Sequence, residues 1–271
     1  VSAEIAVRYR ELKTPEGGAV GRRIILTRYG QIAENAHEMN RAKTWLVAAI
    51  AACFTFLAVA TVPAAAAQAS TPITEKIEWT WSDRPEVAVA GLPNVLLIGD
   101  SITRGYYPEV SASLKGVANV YLFATSACSG DPRLPEQVRG YFKMMGLPFA
   151  VVHFNNGMHG WGYTEQQYAA GLPEMLAALK AGVPNARLIW ATTTPVRKET
   201  LPSGASNARI DARNKLAAAT MSREHIATDD QHQLMLQHSD LHSDDVHYTA
   251  AGSTLQAEQV AAQIRPFLPK P

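Results

Sequence analysis

The chain has 271 residues, of which 47% are hydrophobic and 18% are charged, with 25 Lys and Arg against 24 Asp and Glu. This composition is typical of a globular protein and excludes a disordered or collagen-like chain. A formal net charge of +1 provides no broad basic surface, so nucleic acid is not an expected partner. Two cysteines, Cys53 and Cys128, are too few for a disulfide framework or a cysteine-rich metal site.

An uncharged apolar run covers residues 45–62 and is long enough to cross a bilayer. It follows Met39 and two cations, and small residues follow it up to Ala69. This is the three-part layout of a secretory signal peptide, which we assign to residues 39–69 with cleavage after Ala69. The alternatives are an uncleaved signal anchor and a lipobox ending at Cys53, past which the apolar run continues.

Residues 1–38 precede this candidate start and show little sustained periodicity, so we expect a non-native or disordered extension there. The mature chain would begin at Ser70, carry Cys128 as its one thiol, and form a single domain over residues 70–271. Export predicts a secreted or periplasmic protein that meets the membrane only transiently, through its signal peptide.

Short apolar runs alternate with longer segments of helical spacing after residue 93, and the runs have the unbroken character of buried parallel strands. The predicted strands cover residues 94–98, 118–123, 150–154, 187–191 and 226–228. The predicted helices cover residues 108–115, 134–145, 164–181, 206–221 and 249–264. Thr164 and Ser206 are suitable residues for starting a helix. The alternation predicts an α/β fold with a five-stranded parallel sheet and a site beyond the carboxyl ends of its strands.

Gly99, Asp100 and Ser101 directly follow the first predicted strand. A glycine-containing turn at a strand end can expose a serine hydroxyl for attack on a substrate. The G-x-S-x-G elbow is not present, because Thr103 occupies the position of its second glycine. A tight turn with Ser101 as the N-cap of a helix explains the same residues equally well.

Asp244 and His247 stand three residues apart, just before the last predicted helix. A hydroxyl nucleophile needs an imidazole base, and the imidazole needs a carboxylate that fixes its tautomer and stabilises its charged form. A D-x-x-H string alone usually belongs to a solvated loop. Together with the turn at Ser101 it favours a serine hydrolase.

The two strings together resemble the SGNH/GDSL hydrolases, a superfamily of serine esterases and lipases. The resemblance rests on Gly-Asp-Ser-Ile at 99–102 and Asp-Asp-Val-His at 244–247, and with the strand order between them it covers roughly residues 94–264. It implies a flavodoxin-like three-layer sandwich with Ser101 as nucleophile, His247 as general base and Asp244 as its orienting acid. It implies neither a metal nor an organic cofactor.

The sequence motifs whose residues stabilise the oxyanion in this family are altered in this chain. The family has a glycine after the second strand, for which Gly130 is the candidate, and an asparagine in a G-x-N-D string after the third. Aligning Gly157 with the glycine of that string puts His159 in the asparagine position, whereas a shifted register would use Asn155 or Asn156. We expect Gly130, Asn155 and His159 to form the oxyanion hole.

Other polar residues have simpler explanations in the sequence. His238 and His242 have the spacing of a helical zinc pair, but the serines and aspartates around them indicate a loop, and we expect no metal site. His153 lies inside the third predicted strand and is expected to be a core histidine with a hydrogen-bond partner. Cys128 is expected to be a small packing residue.

These features predict an exported serine esterase that hydrolyses O-acyl esters through an acyl-enzyme. Short exported members of the superfamily are often carbohydrate O-acetylesterases, and the chain has no long lid insertion that would suit a lipid. The expected substrate is therefore a small-molecule or polysaccharide ester, in particular an O-acetyl ester. A lipase or thioesterase for longer acyl chains and a non-catalytic carbohydrate-binding domain of the same fold are the alternatives.

Overall fold

The computed structural model describes residues 71–268. The predicted extension at 1–38, the signal segment at 39–69 and the cleavage after Ala69 lie outside these residues. Within the described part of the chain, no helix combines the length and the apolar character needed to cross a bilayer.

A six-stranded sheet in the order β1-β3-β2-β4-β5-β6 forms the centre of the domain. Its strands are β1 (Thr80–Asp83), β2 (Asn94–Gly99), β3 (Asn119–Thr125), β4 (Val151–Phe154), β5 (Arg187–Ala191) and β6 (Ala227–Asp229). Strands β2 to β6 pair in parallel, whereas β1 pairs antiparallel with β3 at one edge. The five predicted strands are all present, with ends within two residues of the predicted ones.

The predicted number of five strands is wrong, because β1 adds a sixth. Its sequence, Thr-Trp-Ser-Asp, contains one apolar residue, and all four residues are exposed at the edge of the sheet. An exposed edge strand needs no apolar run, so the pattern that identifies the buried strands is absent here. The antiparallel pairing with β3 decides its conformation.

Within the described residues, six α-helices cover the two faces of this sheet, α1, α5 and α6 on one face and α2, α3 and α4 on the other. They are α1 (Ser101–Ser113), α2 (Arg133–Met145), α3 (Glu165–Gly182), α4 (Asn207–Arg223), α5 (Gln231–Leu236) and α6 (Ala250–Ile264). The α/β three-layer prediction is therefore confirmed. Helix α5 was not predicted, since its six residues are too few to establish a helical period.

The apolar core lies on both faces of the central strands. Val95 and Leu97 point toward α1 and α6, whereas Leu96 and Ile98 point toward the helices of the opposite face. All four side chains are fully buried. A strand buried on both faces explains why the sequence shows a continuous apolar run there instead of alternation.

Helix α1 begins at Ser101, seven residues before the predicted start. The predicted helix started at Pro108, because proline is common in the first turn of a helix. In the structure Pro108 lies in the helix interior. Asp100 is the N-cap, and its side chain accepts a hydrogen bond from the N–H of Ile102 at 2.9 Å. The interpretation of Ser101 as N-cap is wrong, and its hydroxyl is free for another contact.

Candidate active site

The structure brings Ser101, His247 and Asp244 into one hydrogen-bonded chain at the carboxyl end of β2. The Ser101 Oγ lies 2.8 Å from Nε2 of His247, and Nδ1 of His247 lies 2.8 Å from Oδ2 of Asp244. With Nδ1–H directed at the carboxylate, Nε2 is the acceptor for the serine hydroxyl. The contact joins residues 146 positions apart, because α1 and α6 pack side by side on the same face of the sheet.

The loop before α6 fixes the Asp244 carboxylate from two directions. Its Oδ1 accepts the N–H groups of Val246 and His247, each at 2.7 Å, while Oδ2 contacts the His247 ring. Slight burial opposes ionisation, but these hydrogen bonds outweigh it and lower the pKa of Asp244 to about 2. The carboxylate is therefore ionised throughout the neutral range and stabilises positive charge on the imidazole.

The turn between β2 and α1 requires glycine at position 99. A Cβ there would lie 2.0 Å from the hydroxyl oxygen of Thr103 and 2.9 Å from the carbonyl oxygen of Asn155. Thr103, the residue that breaks the G-x-S-x-G pattern, is thus packed directly against Gly99. This close approach sets the direction in which the chain leaves β2 and places Ser101 at the first position of the helix.

Asn155 and Asn156 follow β4 and turn their amides to opposite sides. The Asn155 amide donates to the carbonyl of Ala191 at 2.6 Å and to the hydroxyl of Thr193 at 3.1 Å. The Asn156 amide donates to the carbonyls of Gly99 and Ala127. The amide hydrogens of both residues are therefore engaged within the protein. The structure leaves Asn155 no free donor, and we do not retain it as an oxyanion residue.

The His159 ring is held by a residue from the segment before β1. Nδ1 of His159 lies 2.8 Å from Oε2 of Glu75, and Oε1 of the same carboxylate accepts the N–H of Gly160 at 2.7 Å. Among residues 71–268, Nε2 of His159 has no hydrogen-bond partner. The Oδ1 of Asn156 is also unpartnered, but an amide oxygen can only accept, so the ring nitrogen of His159 is the uncommitted atom of the 155–159 loop that can become a donor.

Gly130 lies in a buried turn after β3, where an added Cβ would meet the backbone of Tyr168 at 3.2 Å. Its N–H faces the sulfur of Cys128. Burial raises the pKa of Cys128 to about 11, so the residue is a neutral thiol at physiological pH. Cys128 also packs against Gly160, consistent with its predicted packing role.

The profile of the GDSL-like lipase/acylhydrolase family matches residues 97–255, which is more than half of the chain and extends from β2 into α6. The chain belongs to this GDSL family. It is therefore an ester hydrolase of the serine type. A comparison with curated proteins found no match.

Solved structures of other GDSL-family and esterase proteins share the fold of this hydrolase. A GDSL-like lipase from Parabacteroides merdae is 13% identical with a TM-score of 0.53, covering 68% of this chain and 100% of its own. A carbohydrate esterase family 3 protein from Talaromyces cellulolyticus is 16% identical with a TM-score of 0.54, covering 65% and 97%. The aryl esterase of M. smegmatis is 14% identical with a TM-score of 0.52, covering 65% and 100%.

The sequence analysis of this hydrolase missed Arg213, which comes from α4 and is fully buried. Its guanidinium donates to the carbonyls of Gly157, His159 and Gly160 at 2.7 to 2.9 Å and stacks on Trp161. The sequence does hold a signal for it, because Arg213 occupies a core position between the buried residues Ile210 and Ala217. An arginine at such a position needs several acceptors.

Glu75 was also missed, and no sequence signal marks it. It lies outside the region matched by the family profile, in a segment without periodicity. Its contact with His159 joins residues 84 positions apart, and only the folded chain reveals it.

Two further histidines of the GDSL hydrolase, His153 and His242, have a carboxylate or backbone partner. Nε2 of His153 lies 2.9 Å from Oδ2 of Asp229 in the core, and Nδ1 of the same ring is unpartnered. Both ring nitrogens of His242 lie near backbone carbonyls, of Ser239 and Pro195. In the described part of the chain, no group of three or more metal-ligating side chains occurs.

Proposed function

We propose that the protein is an exported serine esterase that removes O-acetyl groups from carbohydrate through an acyl-enzyme. The observation that carries the proposal is the hydrogen-bonded chain from Ser101 through His247 to Asp244. A serine hydroxyl is a weak nucleophile by itself, and an imidazole at 2.8 Å with a carboxylate behind it supplies the missing base.

In the proposed reaction, Nε2 of His247 takes the hydroxyl proton while Oγ of Ser101 attacks the ester carbonyl. Asp244 keeps the ring oriented and stabilises the resulting imidazolium. His247 then gives the proton to the leaving alcohol, which departs and leaves an acyl group on Ser101. A water molecule, deprotonated by the same imidazole, hydrolyses the acyl-enzyme and restores the serine.

The oxygen that becomes negatively charged needs donors beside Ser101. The N–H of Ser101 is suitable, because N–H groups in the first turn of a helix have no partner within the helix and carry the positive end of its dipole. Gly130 is the second proposed donor. Its N–H faces the Cys128 thiol, a weak acceptor that a charged oxygen outcompetes.

The exposure of the site supports a substrate in which the ester is carried on a larger molecule. The His247 side chain is 44% exposed and that of Asp244 is 58% exposed. An open site admits an acetyl group attached to a sugar chain. A carbohydrate esterase family 3 protein and an acetyl esterase are among the proteins of similar fold, in keeping with this substrate class.

Export is the remaining part of the proposal. It rests on the signal-like segment at 39–69, and it places the protein in the periplasm or outside the cell.

Hydrolysis of p-nitrophenyl acetate, butyrate and palmitate and acetate release from acetylated xylan test this function. We expect turnover to fall as the acyl chain lengthens. Ser101→Ala should lose roughly four to six orders of magnitude in kcat, because it removes the covalent step. Ser111→Ala, a serine on the same helix away from the imidazole, should retain full activity.

Faster hydrolysis of the palmitate ester would indicate a lipase instead. Binding of acetylated xylan without turnover of any ester would indicate a non-catalytic carbohydrate-binding domain. Retained activity of Ser101→Ala would remove this residue as the nucleophile.

A further inference from the structure

The loop that follows β4 lies beside the turn that carries Ser101. The side-chain amide of Asn156 donates to the carbonyl of Gly99, two residues before Ser101. The backbone carbonyl of Asn156 accepts the N–H of Ser129. Three residues further on, the His159 side chain remains 20% exposed. The charge of Asp100, the residue before Ser101, acts on the His159 ring, so the loop brings a second imidazole toward the turn that carries the nucleophile.

Three groups fix this imidazole. Glu75 contacts Nδ1 of His159 with one carboxylate oxygen and the N–H of Gly160 with the other. The Trp79 ring packs edge-on against the His159 ring, with centroids 5.9 Å apart. Arg213 holds the backbone from behind, donating to the His159 carbonyl at 2.7 Å. Both the ring and its backbone are thus held, while Nε2 has no partner in the described residues.

We propose that Glu75 is a positioning residue that holds His159 so that Nε2–H of its protonated ring donates to the oxyanion formed at Ser101. The proposal rests on the proposed function, since it assigns the third donor of the same site. Glu75 and His159 repeat the arrangement of Asp244 and His247, in which a carboxylate accepts the Nδ1–H of the ring and leaves Nε2 facing away from the carboxylate. The two imidazoles would then act in opposite protonation states, His247 as a base and His159 as a donor.

The protonation state follows from the geometry. When Nδ1–H donates to Glu75, Nε2 of a neutral ring has only a lone pair, and it becomes a donor when the ring takes up a second proton. Burial is the largest single influence on the ring and disfavours its charged form, but the hydrogen bond from Nδ1 to Glu75 and the negative charges around the ring together outweigh burial and raise the pKa of His159. The negative charges of Asp100 and Glu78 also face the ring and act in the same direction. Arg213, which donates to the backbone carbonyl of His159, is the positively charged side chain that packs against this residue.

If His159 must be protonated, the pH profile of kcat has a limb that falls as the pH rises. We expect kcat to rise with pH as His247 loses its proton and to fall at higher pH as His159 loses its own. Glu75→Gln keeps the size of the side chain but removes the negative charge that favours the protonated ring. The falling limb should therefore move to lower pH in this variant, and kcat at neutral pH should decrease by about tenfold or more, with little change in KM.

A double-mutant cycle separates positioning from a general structural role. His159→Ala should lower kcat by roughly a hundred- to a thousandfold, the usual effect of losing one oxyanion donor. Adding Glu75→Gln to His159→Ala should cause no further loss, because Glu75 acts through the ring. Glu86→Gln is the matched control, since Glu86 is an exposed glutamate with no contact to Glu75 or to the His159 ring among residues 71–268. It should shift the falling limb much less.

An NMR titration of His159 in the Ser101→Ala protein gives a readout that is independent of turnover and of any Glu75 variant. The proposal expects a His159 pKa above the ordinary histidine value of 6.5. A pKa at or below that value overturns it, as do an unchanged pH profile of Glu75→Gln or additive losses in the double variant. If the native protein shows no turnover that depends on Ser101, the proposed function itself has failed, which is a distinct result.

Discussion

Asp244 and Asp245 are neighbours with the same side chain but different partners. The Asp244 carboxylate accepts hydrogen bonds from the His247 ring and from two backbone N–H groups. The Asp245 carboxylate forms ion pairs with Arg197 and Lys198, each at 2.9 Å, on the surface. Exposed ion pairs of this kind contribute little to stability. Asp245 therefore serves as a control for Asp244, whose carboxylate contacts the imidazole of His247.

Asp244→Asn should lower kcat by about four orders of magnitude, since an amide no longer stabilises the imidazolium and can favour the wrong tautomer of His247. Asp245→Asn should leave kcat within about twofold of the native value. Steady-state kinetics with p-nitrophenyl acetate measure both effects. A damaging Asp245→Asn together with a silent Asp244→Asn would show that the two roles are exchanged.

At the scale of elements, α4 determines the shape of a loop to which it is not adjacent in sequence. Arg213 lies on the buried face of α4 and binds three carbonyls of the 157–160 loop. Two glycines allow the close packing of this loop. A Cβ at Gly157 would lie 1.8 Å from the hydroxyl of Thr193, and Gly160 has a φ of +68° and contacts Cys128. The loop is thus defined by the layers on both sides of it.

Arg213→Lys should therefore damage both the loop and the site. A lysine keeps the charge but cannot reach three carbonyls in the fixed geometry of a guanidinium. We expect the free energy of unfolding to decrease by about 2 to 4 kcal/mol and kcat to fall with it. Arg223→Lys, at the end of the same helix, should change neither. Chemical denaturation and steady-state kinetics provide the measurements, and a fully stable Arg213→Lys would contradict this account of the loop.

At the scale of the whole molecule, a buried polar network connects distant parts of the fold. Asp229, at the end of β6, is fully buried and accepts hydrogen bonds from His153 of β4, Gln231 of α5 and Gln259 of α6. Burial opposes its ionisation, but the hydrogen bonds outweigh burial and lower the pKa of Asp229 below the ordinary 3.8. The folded chain therefore binds this proton less readily than the unfolded chain.

Asp229→Asn should lower the free energy of unfolding at pH 7 by about 2 to 4 kcal/mol, because a buried charge-assisted network loses its centre. The stabilising effect of Asp229 is present above pH 3.8 and is lost as the pH falls through the lower pKa of the folded state. The difference in melting temperature between native protein and variant should therefore shrink below about pH 4. Thermal unfolding from pH 7 to pH 3 measures it, with the exposed Asp240→Asn as control. A constant difference would contradict the assignment.

A structural feature can be predicted from the sequence when the interactions that cause it join residues close together in the chain. The five parallel strands were predictable because burial on both faces leaves a continuous apolar run. Helix α3 was predictable because Thr164 forms a capping box with Gln167, an interaction within four residues. Strand β1 has no such signal, because its conformation comes from pairing with β3 about forty residues away. The early start of α1 was hidden by Pro108, which usually marks a first turn.

By itself, the sequence determined the fold class and the residues that meet at the carboxyl end of β2. Apolar periodicity is a local property, and the order of strands and crossover helices brings Ser101, Asp244 and His247 to one end of the sheet. The tertiary structure alone decided which polar atoms of the site are free. The amide N–H groups of Asn155 and Asn156 are engaged in the fold, while His159 is held by Glu75 and Arg213 with Nε2 uncommitted. These contacts join residues up to 84 positions apart. They form only when the layers pack together, so no local sequence pattern predicts them.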